Sequence, residues 1–141
     1  MLIDHYNYWL EQTAQGEFCA HFPDLPALTV RAPSIERLLP GLHDALTGYL
    51  EEFMKNGNPA PEPAPRRLGE ETLRLKPTTV AKLRLAAIVR EQNISAAELA
   101  RRLDCLPQEA ARILKLTHPT KIDTMAAALA ALGVELRVCA D

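Results

Sequence analysis

Aromatic residues are scarce in this chain, 5% of a sequence that is 48% apolar. A core must therefore be built mostly from Leu, Ala, Ile and Val. Phe18, Phe22 and Tyr49 read as core residues rather than as a platform for stacked bases. Cysteine is scarce too. Cys19, Cys105 and Cys139 are odd in number and far apart, which excludes a disulfide framework and points to reduced thiols. No apolar run approaches the ~20 residues of a membrane span. Residues 1–5 lack the basic region and apolar stretch of a signal peptide, so a cytoplasmic protein is expected. A charged fraction of 24% excludes a disordered chain, and 141 residues give room for two small domains or one ordinary one.

The net charge of −2 hides a division. Residues 1–65 hold nine acidic and three basic side chains, giving −6; residues 66–141 hold nine and thirteen, giving +4. Halves of opposite sign suggest two partners, a polyanion for the basic half and a basic protein for the acidic half.

Periodicity gives the elements. Residues 2–10 have strand composition, 11–16 read as a hairpin turn, and 17–22 as a second strand stopped by Pro23-Asp24-Leu25-Pro26, because proline lacks the donor a ladder needs. A third short strand covers 28–31. Ile35, Leu38, Leu39, Leu42, Leu46, Tyr49, Leu50, Phe53 and Met54 then recur at helical spacing after a Ser34 cap, with a stop at Asn56-Gly57. Pro40-Gly41 predicts a bend in that helix or a start displaced beyond it. Prolines 59, 61, 63 and 65 make an extended connector over 58–66. Residues 71–75 read as a strand returning to the first sheet, so the boundary between domains 1–76 and 77–141 falls near Lys76-Pro77. Helices are predicted over 79–91, with Val80, Leu83, Ala87 and Ile88 on one face, and then from Ser95 to about 103, over 107–116 and over 121–132. Residues 134–138 read as a final strand that rejoins the first sheet or pairs with its copy. The fold class is α+β: a small N-terminal antiparallel sheet with one long helix, followed by an all-α domain with a short C-terminal strand.

Residues 94–116 fit a helix-turn-helix. Leu99, Leu103, Cys105, Ala110 and Ile113 form its buried wedge, and Ala100 lies where two helices must approach closely. Asp104 holds the turn position usual for glycine, and Asp tolerates a left-handed backbone. Leu106, Pro107, Gln108, Ala111, Arg112 and Lys115 are left outward, with Gln108, Arg112 and Lys115 on one face. Gln pairs bidentately with adenine and Arg with guanine in the major groove. Ser95, Thr120 and Lys121 at helix starts suit phosphate, and Arg101, Arg102 and Lys115 add positive charge. The expected DNA contacts are Ser95, Gln108, Ala111, Arg112, Lys115, Thr120 and Lys121. A two-fold operator implies a dimer with half-sites roughly 34 Å apart.

Gly16-Glu17-Phe18-Cys19-Ala20-His21-Phe22-Pro23-Asp24-Leu25-Pro26 resembles the signature of HicB antitoxins: an aromatic strand ending in Pro-Asp-Leu-Pro, a Thr shortly after (Thr29), a helix ending Tyr49-Leu50-Glu51-Glu52, and a Pro-rich connector. The second half, from Lys82 through Glu98-Leu99-Ala100-Arg101-Arg102-Leu103 and His118-Pro119-Thr120-Lys121-Ile122-Asp123 to Gly133-Val134-Glu135-Leu136, is similar to the HicB subgroup with a repressor-type helix-turn-helix. Ala27 stands where a glycine is usual. The resemblance implies a partial, inactive RNase H-like first domain that blocks HicA, a small ribonuclease, and a second domain that binds the operator of its own operon. The toxin contact then falls on Phe22, Pro23, Asp24, Leu25 and Pro26 and along the first helix. The partners are a HicA-like toxin, operator DNA and further copies in a homodimer or homotetramer.

Three rival readings are a DNA-binding regulator unrelated to a toxin, a module whose helices only dimerise, and an RNase H-like nuclease. The last needs carboxylates clustered around two metal ions. Asp4, Asp24 and Asp44 are the right type, but no constellation with roles can be assembled, so no catalytic residue and no enzyme are expected. His5, His21, His43 and His118 lack zinc spacing, and Cys19-x-His21 alone does not make a site. No metal or other cofactor is expected.

Overall fold

The computed structural model describes residues 2–141. The element order is β1 (His5–Gln12), β2 (Phe18–His21), β3 (Thr29–Ala32), α1 (Ile35–Lys55), β4 (Glu71–Arg74), α2 (Pro77–Glu91), α3 (Ala96–Leu103), α4 (Pro107–Leu114) and α5 (Ile122–Ala131). The chain divides into two compact units, Ile3–Leu75 and Lys76–Asp141.

In the first unit the strands form one antiparallel sheet in the order β3-β2-β1-β4. β1 begins and ends later than its composition suggests. Its register is set by neighbours: His5 pairs with Arg74 at one end and Gln12 with Phe18 at the other. The hairpin is closed over 13–17, where Thr13 donates its N–H to the Glu17 carbonyl at 2.8 Å and Gly16 supplies a φ of +86°. α1 packs on β2 and β3 and buries Leu38, Leu42, Leu46 and Leu50; Tyr6, Ala20, Phe22 and Leu25 are likewise essentially inaccessible. Ser34 caps it by accepting the Arg37 N–H. The helix begins at Ile35 and runs through Pro40, so its start is not displaced. Pro40 is exposed and only a turn and a half from the N-terminus, so the bond it removes costs little cooperativity. Ala27 keeps a negative φ, so the turn after Pro26 does not need glycine.

The second unit has one apolar centre: Leu85 and Ile88 of α2, Leu99 and Ala100 of α3, Ala110 and Ile113 of α4, and Met125, Ala128 and Leu129 of α5. Three of its helices stop in the same way. A residue in the left-handed region (Asn93, Asp104, Gly133) lets the next N–H reach five residues back: Ile94 to Val89, Cys105 to Ala100 and Val134 to Leu129. The segment 134–138 does not rejoin the first sheet and forms no strand within the chain. Val134 and Leu136 pack against the helical core, but no second strand offers them a ladder, and the sheet of the first unit ends at β4.

Candidate functional site

The strongest candidate is the pair α3–α4. Ser95 accepts the Glu98 N–H at 3.1 Å and so caps α3. Asp104 takes φ 53°, ψ 48°, the left-handed conformation the turn requires, at a position open to solvent. Pro107 follows as the first residue of α4, where its missing N–H costs nothing. Leu99, Ala100, Ala110 and Ile113 are buried, and Leu103 and Cys105 are half-buried against them. On the opposite side of α4, Gln108, Ala111 and Arg112 are exposed, next to the outward Leu106. Gln108 and Arg112 are one turn apart and face the same way.

One expectation is corrected here, the helical row, and two further groups of expected contacts are placed. α4 ends at Leu114, and Lys115 is its C-cap with an extended ψ of 116°, so Lys115 is exposed but does not continue the helical row of Gln108 and Arg112. Arg101 and Arg102 are not unencumbered cations: both guanidinium groups bond the Glu98 carboxylate, which they hold down at a pKa of about 2, Arg101 contributing most. Thr120 is half-buried, and its hydroxyl lies 3.4 Å from the His118 carbonyl, whereas Lys121, the N-cap of α5, is exposed.

What orients the end of α4 is a residue the sequence reading passed over. Lys82 of α2 is 1% exposed. Its Nζ donates to the carbonyls of Arg112 at 3.0 Å, Lys115 at 2.7 Å and His118 at 2.8 Å. An ammonium has three protons, and three carbonyls at a helix C-terminus and the loop beyond it match them. The negative end of the α4 dipole adds to the attraction. The signal lay in the sequence: Lys82 sits three residues before Leu85 and six before Ile88. α2 buries Thr79, Ala81, Lys82, Leu83, Leu85 and Ile88, a wider face than Val80, Leu83, Ala87 and Ile88, and Val80 and Ala87 are only half-buried.

In the first unit the Pro-Asp-Leu-Pro segment has a structural role. Phe22 and Leu25 are core residues, 1% and 0% exposed, so their side chains offer no outer surface. Asp24 accepts the Ala64 N–H at 3.2 Å. Tyr6 donates its hydroxyl to the Pro61 carbonyl at 2.6 Å, and Asn7 donates to the Ala64 carbonyl at 3.0 Å while its Oδ1 accepts from Thr72. The extended segment 58–66 is thus a strap tied to the first unit. Burial, and then the Asp24 charge, push the Tyr6 phenol well above the usual tyrosine range. Of the five residues expected to touch a toxin, Pro26 is exposed and Pro23 and Asp24 are half-buried. Among the carboxylates considered for catalysis, Asp4 is paired with His5 and Arg74, and Asp44 is exposed on α1. No helix among the described residues is long and apolar enough to cross a membrane.

No family model matches the chain. It is similar over most of its length to curated antitoxins: 36% identical over 119 residues to Antitoxin HicB 2 of Photorhabdus laumondii, covering 84% of each protein. It is 28% identical over 131 residues to Antitoxin HicB 1 of the same organism, covering 93% of this chain and 83% of that one. It is 27% identical over 131 residues to Antitoxin HicB of Escherichia coli K12, covering 93% and 95%. With a relative at this identity aligned across both units, the chain belongs to the HicB antitoxin family.

Proposed function

We propose that this protein is the antitoxin of a toxin–antitoxin pair that acts by binding, not by catalysis. Residues 1–76 neutralise a HicA-like mRNA interferase, and residues 77–141 repress the antitoxin's own operon by binding operator DNA. α3 and α4 act as a helix-turn-helix, with α4 entering the major groove. One observation carries the DNA reading: α4 buries Ala110 and Ile113 while exposing Gln108, Ala111 and Arg112 beside a turn whose shape comes from the left-handed Asp104. Gln108 and Arg112 read bases. Lys115, Thr120, Lys121 and the α3 N-terminus at Ser95 hold phosphates. The +4 charge of 66–141 supplies non-specific attraction.

The first unit is read as the partial RNase H-like fold of the family. Its support is the antiparallel run β3-β2-β1 followed by one long helix. A basic toxin meets an acidic surface here, with Glu36, Asp44 and Glu52 exposed on α1, and Pro23, Asp24 and Pro26 at its edge. The protein works as a homodimer or homotetramer, the extended 134–138 segment of one copy pairing with that of another.

A gel shift on the operon's own upstream DNA, against a scrambled duplex at ~150 mM salt to suppress counterion-driven binding, tests the repressor reading. Wild type binds selectively, and Gln108→Ala/Arg112→Ala does not. Equal affinity for both duplexes refutes it. Copurification of the toxin with residues 1–76 tests the other half.

A further inference from the structure

The β1–β2 hairpin gathers four chemically distinct side chains on one face. Glu11 is paired directly with Cys19, and Trp9 with His21. Cross-strand partners project to the same side of a sheet, as do residues two apart on one strand. The Glu11 carboxylate, Cys19 thiol and His21 imidazole converge so that one ligand atom from each lies within 4.8 Å of the others. His21 Nε2 is 3.0 Å from Glu11 Oε1. The Trp9 indole stacks on the imidazole with centroids 4.3 Å apart and planes at 24°, which fixes the ring. Cys19 is 1% exposed, so its sulfur is shielded from bulk solvent.

We propose that Glu11, Cys19 and His21 form a binding site for a zinc-class divalent ion. Two ligands at i and i+2 on one strand and a third directly across on its neighbour put three donors at one corner of a rigid ladder. Zn–N and Zn–O bonds near 2.0–2.2 Å and a Zn–S bond near 2.3 Å set ligand–ligand edges of roughly 3.3–3.7 Å in a tetrahedron. The His21–Glu11 pair opens slightly to reach this, and the thiol closes by rotation about χ1. Sulfur and imidazole nitrogen beside one carboxylate select zinc, cobalt or nickel over magnesium or calcium, which take oxygen ligands. Three protein ligands leave one position for water. Forming the S–Zn bond sends the thiol proton to solvent, leaving a thiolate and a carboxylate to balance the dication. Bound metal ties β1 to β2, so the first unit gains stability whenever the ion is present. None of this depends on the antitoxin reading.

The test uses the full chain, reduced and stripped of metal, titrated with Co(II). The expected result is one equivalent bound, with a near-ultraviolet thiolate charge-transfer band and visible bands of a tetrahedral ion. Emission from Trp9, the single tryptophan, is quenched along the same curve, and Zn(II) reverses both signals. Cys19→Ser loses the charge-transfer band, Cys105→Ser/Cys139→Ser keeps it, and Glu11→Gln weakens binding by about tenfold or more. The proposal is overturned if excess Co(II) gives neither band nor quenching. It is equally overturned if the band survives Cys19→Ser and disappears in the double variant. Should Cys19→Ser fail to fold, Glu11→Gln decides alone, since Glu11 is exposed and its loss spares the core; unchanged Co(II) affinity there refutes the site.

Discussion

Replacing Lys82 by Met removes three charge-assisted hydrogen bonds while keeping much of the stem that packs between α2 and α4. Taken singly, such bonds contribute about 1.5–3 kcal/mol each. They do not add, because wild type already bears the cost of desolvating a buried ammonium, several kcal/mol. The variant sheds that cost but strands the carbonyls of Arg112, Lys115 and His118. Leaving a buried carbonyl without a donor costs about 1–3 kcal/mol, and partial hydration of the three, together with the recovered desolvation cost, places the expected loss at about 3 kcal/mol. Against a domain stability of about 5–15 kcal/mol this is a large share. The assay is urea unfolding followed by far-ultraviolet circular dichroism, which is weighted to α2–α5, with Trp9 emission as a separate probe of the first unit. At a slope of about 1 kcal/mol/M for a unit of this size, the dichroism midpoint falls by about 3 M. Lys121→Met, at an exposed position, stays within about 0.5 kcal/mol of wild type. A Lys82→Met midpoint within about 0.5 M of wild type refutes the argument, since water would then serve the three carbonyls as well as the ammonium does.

Glu98→Gln releases Arg101 and Arg102 from the carboxylate that now engages both, so non-specific DNA affinity rises and the salt slope steepens by about 1, read by a salt series of gel shifts. The same pair gives a pH signature. The Glu98 pKa is lowered from 4.5 to about 2, so its stabilising contribution is complete above 4.5 and is lost as pH falls through about 2; the difference in stability between wild type and Glu98→Gln shrinks over that window. Tyr6 works in the opposite sense: with its folded-state pKa raised above 10.0, its contribution is complete below pH 10.0 and is lost as pH rises through the folded value, so phenolate absorbance from Tyr6 emerges only with alkaline unfolding. Asp24→Ala frees the Ala64 N–H, and limited proteolysis then cuts within 58–66 faster than in wild type; unchanged cleavage would show that the strap is held without Asp24.

The local decisions were legible in the sequence because the groups that make them are neighbours in it. Ser34 and Ser95 cap helices whose third residue supplies the bonded N–H, Asp104 takes the left-handed turn, Gly133 stops α5, and a period of 3.6 marks the buried face of α1. The outward position of Gln108 and Arg112 followed from that same periodicity. Contacts across the chain were decided by tertiary structure. Lys82 finds its carbonyls 30 to 36 residues away, and the strap is fixed by Tyr6 and Asn7 from 55 and 57 residues away. Glu11 joins Cys19 and His21 only through the register of one hairpin, and a slip of one residue would send it to the other face. Within one chain 134–138 forms no strand for the same reason: alternation makes a segment able to pair, but the ladder needs a neighbour that local sequence does not supply.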